Sequence, residues 1–181
     1  MIFREAGLAG SWIIDLEPIE DERGFFARSF CRDEFAAHGL DSVFEQCNIS
    51  YNRHAGTLRG MHFQIAPHEE AKLVRCTAGA IYDVIVDLRA RSATFGRHVG
   101  VELSASNRRM LYVPRGFAHG FQTLEDATEV FYQMSSVFVP GFASGLRHDD
   151  PVLGIEGPRP VSVISPRDLD YAPFDPAAFA I

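Results

Sequence analysis

A chain of 181 residues, 46% hydrophobic and 23% charged, has the length and composition of one soluble globular domain and excludes a disordered polyelectrolyte. Its 24 acidic and 17 basic residues leave a net charge of -7, which excludes nucleic acid as the main partner but not one small anionic ligand. No apolar run approaches the roughly 18 residues of a membrane span and no secretion leader opens the chain, so a cytoplasmic protein without membrane contact is expected.

Fifteen Phe, 15 Gly and 10 Pro spread along the chain favour short strands over long helices. Extended segments are expected over residues 11–18 and 25–30, then one short helix over 32–38 that Gly39 stops. Further strands are expected over 44–50, 58–64, 72–76, 80–87, 99–103, 110–113, 117–123 and 128–135, separated by turns such as Ala66-Pro67-His68 and Pro114-Arg115-Gly116. Trp12, Ile13 and Ile14 form an apolar stretch on an expected edge strand, where two copies of the chain are expected to pair. Within 80–87, Tyr82, Val84 and Val86 share one face, and Ile81, Asp83, Ile85 and Asp87 the other. A carboxylate between two isoleucines indicates a polar cavity inside a barrel. From Pro140 onward the periodicity fades, and residues 140–181 are expected to wrap the barrel as an irregular tail with short helical turns. The whole reads as all-β dominated, one domain over 1–181, with a jelly-roll or similar double-sheet barrel across about 10–139. Cys31, Cys47 and Cys76 have no paired spacing and read as buried thiols in a reducing compartment.

Sixteen of the 17 basic residues are Arg; the remaining one is Lys72. Arginine cannot replace a compact ammonium whose ionisation responds to burial, so this position is marked for a role. The segment from Gly56 to His62-Phe63-Gln64, followed by Lys72 and Gly79, and the segment Pro114-Arg115-Gly116-Phe117-Ala118-His119 have the spacing of the two cupin motifs. Gln64 stands where the second histidine of the first motif belongs, and Lys72 where its carboxylate belongs. A divalent cation needs three or four imidazole or carboxylate donors, and an ammonium at its position repels it. No metal is therefore expected, and the barrel mouth remains as a ligand pocket. Arg59, His62, Lys72 and His119 converging inside a small barrel are costly unless they bind something. The other five histidines read as structural.

Seven segments carry a closer resemblance: Asp21-Glu22-Arg23-Gly24-Phe25-Phe26, Gln46-Cys47-Asn48-Ile49-Ser50, Leu58-Arg59-Gly60-Met61-His62-Phe63-Gln64, Ala71-Lys72-Leu73-Val74, Asp83 to Arg89, Pro114 to Phe121, and Ile164-Ser165-Pro166-Arg167-Asp168. In this order the chain resembles the dTDP-4-dehydrorhamnose 3,5-epimerase family over about residues 10–170. The resemblance implies a metal-free, cupin-like double-stranded β-helix (jelly-roll) barrel that forms a homodimer. It also implies a nucleotide-diphosphate sugar as substrate, namely a 4-keto-6-deoxyhexose, and no cofactor, because the ketone is its own electron sink.

Inverting a carbon beside a ketone needs a base on one face, an acid on the other and a positive group at the keto oxygen. An imidazole with an ordinary pKa of about 6.5 suits the base, provided a carboxylate fixes its tautomer. The resemblance implies His62 as base, Asp168 as its carboxylate (Asp170 lies close enough to compete), Lys72 as the enolate's cation and Tyr132 as proton donor. It further implies that Arg23, Phe26, Gln46, Asn48, Arg59, His119 and Arg167 contact the substrate. Departures fall mainly on the nucleotide side. Arg28 stands for a Glu, Phe138 for a stacking Tyr, Ala143 for a Glu, and Arg167 for a Lys. Phe138 is expected to stack with Phe26 around a nucleobase. Arg28 offers only donors, which raises a CDP- or GDP-linked sugar, epimerised at one carbon, as the alternative. A metal-dependent cupin enzyme and a non-catalytic sugar-binding protein are the alternatives of other classes.

Overall fold

Alternation of inward and outward side chains builds two facing antiparallel sheets in the computed structural model, which describes residues 1–178. The strands are β1 (Ile2–Glu5), β2 (Trp12–Asp15), β3 (Ile19–Asp21), β4 (Gly24–Phe26), β5 (Gln46–Asn52), β6 (Leu58–Gln64) and β7 (Lys72–Ala78). They continue with β8 (Ala80–Asp87), β9 (His98–Ser104), β10 (Met110–Val113), β11 (Phe117–Thr123), β12 (Thr128–Met134) and β13 (Ala143–Gly145). One sheet has the order β1-β2-β10-β7-β12-β5, the other β13-β6-β11-β8-β9, and β3 with β4 forms a separate hairpin. This is the jelly roll that the strand spacing predicts.

The inward faces meet in a core of Val74, Cys76, Ile81, Ile85, Leu103, Leu111, Phe117, Phe121 and Val130. The same inward rows carry polar residues at one end: Lys72 two positions before Val74, Tyr132 two after Val130, Asp83 between Ile81 and Ile85, and His119 between Phe117 and Phe121. One end of the barrel is therefore packed and the other is a polar mouth, as Asp83 foretells.

Each outer face is covered over part of its area. Helix α1 (Arg32–Ala37) lays Phe35, fully buried, over Ile14, Leu73, Met110 and Tyr112 of the six-stranded sheet. Burying that ring is worth about 2–3 kcal/mol. The tail covers the five-stranded sheet, with Leu146, Leu153 and Phe174 packed on Val84, Val86 and Ala118. It also adds β13 to the sheet edge and carries the short helix α2 (Pro166–Leu169), neither of which sequence periodicity reveals. The end of the expected wrap, residues 179–181, lies outside the described residues.

Two expectations are corrected. Trp12–Asp15 is not an edge: β1 pairs outside it, β10 pairs inside it, and Ile14 is buried beneath α1. The N-terminal strand was missed because its four residues, Ile-Phe-Arg-Glu, carry only one alternation. Of the three cysteines only Cys76 is buried, and that burial pushes its thiol up to about 11. Cys31 is half-buried, and Cys47 is exposed because it occupies an outward position on β5.

Candidate active site

The polar mouth is a cavity of about 520 Å3 between the sheets. His62 of β6 and His119 of β11 line one wall; Lys72 of β7, Tyr132 of β12 and Gln46 and Asn48 of β5 line the other. Arg59, Phe138 and Arg167 also border it.

His62 and His119 stand opposite each other in the β6–β11 ladder, and the register slips immediately afterwards, between His119 and Phe121. Gly60 and Gly120 make this irregularity possible. A Cβ on Gly60 would lie 2.5 Å from the Gly120 Cα, and Gly60 has φ +126°. Gly60 then offers its N–H to Asp168 Oδ2 at 3.2 Å, while His62 Nε2 meets Asp168 Oδ1 at 2.7 Å.

Asp168 reaches this place from the far end of the chain. The tail runs beside the start of β6, where Leu58 N–H donates to the Val163 carbonyl at 2.8 Å. Ser165 then caps α2 by accepting from the Asp168 N–H at 3.1 Å, and Pro166 takes the first helical position. Asp168 is buried at the turn's inner side, whereas Asp170 is the exposed residue that ends it. The histidine's partner is thus Asp168. Burial alone would push this carboxyl up, but the hydrogen bond and charge of His62 and the Gly60 N–H hold it below its ordinary value. An ionised carboxylate only accepts, so His62 Nε2 carries the hydrogen and Nδ1 is left as the basic nitrogen.

Across the cavity, Lys72 Nζ lies 3.0 Å from Glu70 Oε1 and 3.3 Å from the His62 carbonyl oxygen. Lys72 and Glu70 are both buried. Tyr132 is half-buried; burial raises its phenol above the ordinary 10.0, the nearby Arg59 charge acts against this and Glu70 with it. His119 Nε2 meets the fully buried Asp83 Oδ1 at 2.7 Å. Arg59 donates through Nε to Asn52 at 2.7 Å, which fixes its guanidinium at the mouth.

Gln64 serves a backbone role at its metal-motif position. It donates to the His68 and Val137 carbonyls and accepts from the Val139 N–H at 2.7 Å, clamping the segment that bears Phe138. Gln46 holds the same segment by accepting from the Phe138 N–H at 3.0 Å. Among the described residues, no group of three or more His, Cys, Asp or Glu is arranged to hold a metal ion.

Arg23, Phe26 and Arg28 are not brought to this cavity. They belong to the β3–β4 hairpin and its exit, outside both large sheets. Arg23 pairs with Asp21, and Arg28 donates to Glu34 at 3.0 Å. Phe26 is 72% exposed and borders a separate depression with Arg28 and Glu34, so it does not share the cavity with Phe138. Conversely, sequence reasoning missed Glu70, although an acid two positions before the single lysine was the available signal. It also missed Tyr171, whose ring edge packs on His62 at 6.1 Å between centroids. No local pattern marks that residue.

Known proteins resemble this chain over nearly its whole length. The pattern of the dTDP-4-dehydrorhamnose 3,5-epimerase family matches residues 5–175. A dTDP-4-dehydrorhamnose 3,5-epimerase of Sinorhizobium fredii is 40% identical over 169 residues, covering 93% of this chain and 87% of that protein. A dTDP-4-dehydrorhamnose 3-epimerase of Streptomyces niveus is 37% identical over 171 residues, covering 94% of this chain and 82% of that protein. The crystal structure of the Bacillus anthracis dTDP-4-dehydrorhamnose 3,5-epimerase, with TDP and PPi bound, superposes with a TM-score of 0.92 at 38% identity, covering 96% of this chain and 99% of that one. The chain belongs to the dTDP-4-dehydrorhamnose 3,5-epimerase family.

Proposed function

We propose that this enzyme inverts C3 and C5 of a dTDP-linked 4-keto-6-deoxyhexose, without metal or cofactor, by moving protons between the two walls of the cavity. The observation that carries the proposal is His62 on one sheet, paired with Asp168 of the tail, facing Tyr132 and Lys72 on the other sheet. His62 Nδ1 removes the proton α to the ketone, and the Asp168 carboxylate stabilises the imidazolium that forms. Lys72 meets the developing enolate oxygen in a water-poor site, where a fixed cation is worth far more than in bulk water. Tyr132, held as the neutral phenol, returns a proton to the opposite face. Arg59 and Arg167 at the mouth suit the diphosphate.

The thymidine nucleotide is the base favoured by the relatives. The case for a CDP- or GDP-linked sugar rests on Arg28, whose guanidinium is engaged with Glu34. The hairpin supports a homodimer reading instead. It exposes Ile19 and Phe26, while edge strand β5 beside the cavity exposes Ile49 and Tyr51. A symmetric pair in which each hairpin crosses to its neighbour's cavity would bring Arg23 and Phe26 to substrate. Free thiols on the described residues accord with a cytoplasmic setting.

Proton NMR in D2O with dTDP-, CDP- and GDP-linked 4-keto-6-deoxyglucose tests the reading. Loss of both the H3 and H5 signals with the dTDP sugar is expected. Exchange at one carbon only, or preference for another nucleotide, would contradict it. Mixing the Arg23→Ala and His62→Ala variants should restore activity that neither has alone if the hairpin serves the neighbouring cavity.

A further inference from the structure

Glu70 is a buried charge that the reaction just described does not use. It lies two residues before β7 and lines the cavity wall beside Lys72. Its side chain is 4% exposed, and Oε2 is buried with no hydrogen-bond partner. Burying a carboxylate with one oxygen unmet is expensive. A neutral glutamine carbonyl would avoid that expense but would hold an ammonium more weakly than a carboxylate does. The negative charge itself therefore calls for a reason.

The geometry around Lys72 supplies one. Two of its three N–H bonds are directed to fixed acceptors, Glu70 Oε1 at 3.0 Å and the His62 carbonyl at 3.3 Å, leaving the third for the cavity. The His62 carbonyl belongs to the residue that acts as base, so the cation and the base are tied to one another through Lys72.

We propose, on the strength of the epimerase reading above, that Glu70 is a positioning residue for this reaction: its carboxylate locks the Lys72 ammonium at the place of the enolate oxygen and sets the charge that the proton donor Tyr132 feels. The charged and titratable groups lining the cavity with Tyr132 are Tyr51, Arg59, His62, Glu70, Lys72, His119 and Arg167. Glu70 is the only carboxylate bordering the cavity among the described residues. It opposes formation of a phenolate, whereas Arg59 favours it. Loss of its charge loosens the lysine and eases loss of the tyrosine proton.

Glu70→Gln keeps an acceptor and removes the charge. With the full-length protein, binding of dTDP by calorimetry should stay within about threefold of wild type, which shows that the cavity is folded. The kcat should fall about 10²-fold, the scale of a misplaced catalytic group, with KM little changed. The alkaline limb of the kcat profile should move to lower pH. Wild-type kcat with an unmoved limb in Glu70→Gln overturns the proposal. If Glu70→Gln does not bind dTDP, Glu70→Asp replaces it: the charge is kept and the reach shortened, so a lower kcat with an unmoved alkaline limb is expected, and a shifted limb or unchanged kcat overturns the proposal. A wild-type enzyme that exchanges neither H3 nor H5 defeats the epimerase reading itself. Wild-type exchange with an unaffected Glu70→Gln defeats the role of Glu70 alone.

Discussion

His62 Nε2 and Asp168 Oδ1 meet at 2.7 Å although 106 positions separate the two residues in the chain. The strand that carries His62 cannot by itself fix an imidazole tautomer; the tail must return to do so. Asp168→Asn keeps the shape and loses the charge that stabilises an imidazolium. Its kcat should fall by about 10² to 10⁴, read from the rate of H3 and H5 loss in D2O, while dTDP affinity stays near wild type.

The same pair makes stability depend on acid. Because Asp168 is held below its ordinary 3.8 when folded, the unfolded chain binds the proton more readily there. The ionised carboxylate therefore stabilises the native state above that pH, and the contribution fades as pH falls through the lower folded value. Urea unfolding of wild type and Asp168→Asn should differ most near neutrality, and the gap should shrink from about pH 4 downward. A gap that stays constant would show that the charge does not contribute.

Gly60 is the backbone point on which this geometry turns. Gly60→Ala combines φ +126° with a contact of 2.5 Å against the Gly120 backbone. A loss of about 3 kcal/mol or more in urea unfolding is expected. Gly141→Ala is the control, since a Cβ there meets nothing within 4 Å, and its effect should stay below about 0.5 kcal/mol.

Gln64 holds the segment around Phe138 through two backbone hydrogen bonds, to Val137 and from Val139, and ties it to the His68 carbonyl through a third. Gln64→Ala should raise the substrate KM about tenfold, equivalent to about 1.4 kcal/mol of lost binding, with a smaller effect on kcat. A kcat loss without a KM change would place Gln64 in the chemistry instead.

The fold was legible because barrel strands repeat every second residue, and Asp83 between Ile81 and Ile85 betrayed the polar interior. Strands β1 and β13 were hidden, being too short for a period to register. The cavity residues on β5, β6, β7, β11 and β12 were legible for the same reason as the strands, assisted by the family resemblance. Tyr171 was not, since it packs on His62 from the distant tail; Glu70 was not, although it lies only two positions from the Lys72 it pairs with. Arg23, Phe26 and Arg28 show the opposite failure: their motif is clear, but one chain does not carry the hairpin to its own cavity.

The central claim is that protons leave to one sheet and return from the other. Wild type, His62→Ala and Tyr132→Phe, each with the dTDP-linked 4-keto sugar in D2O, test it most directly by proton NMR. Wild type should incorporate deuterium at C3 and C5 with inversion. His62→Ala should do neither, and Tyr132→Phe should exchange α-protons while forming little inverted sugar. Full inversion by Tyr132→Phe, or exchange undiminished in His62→Ala, would contradict the account.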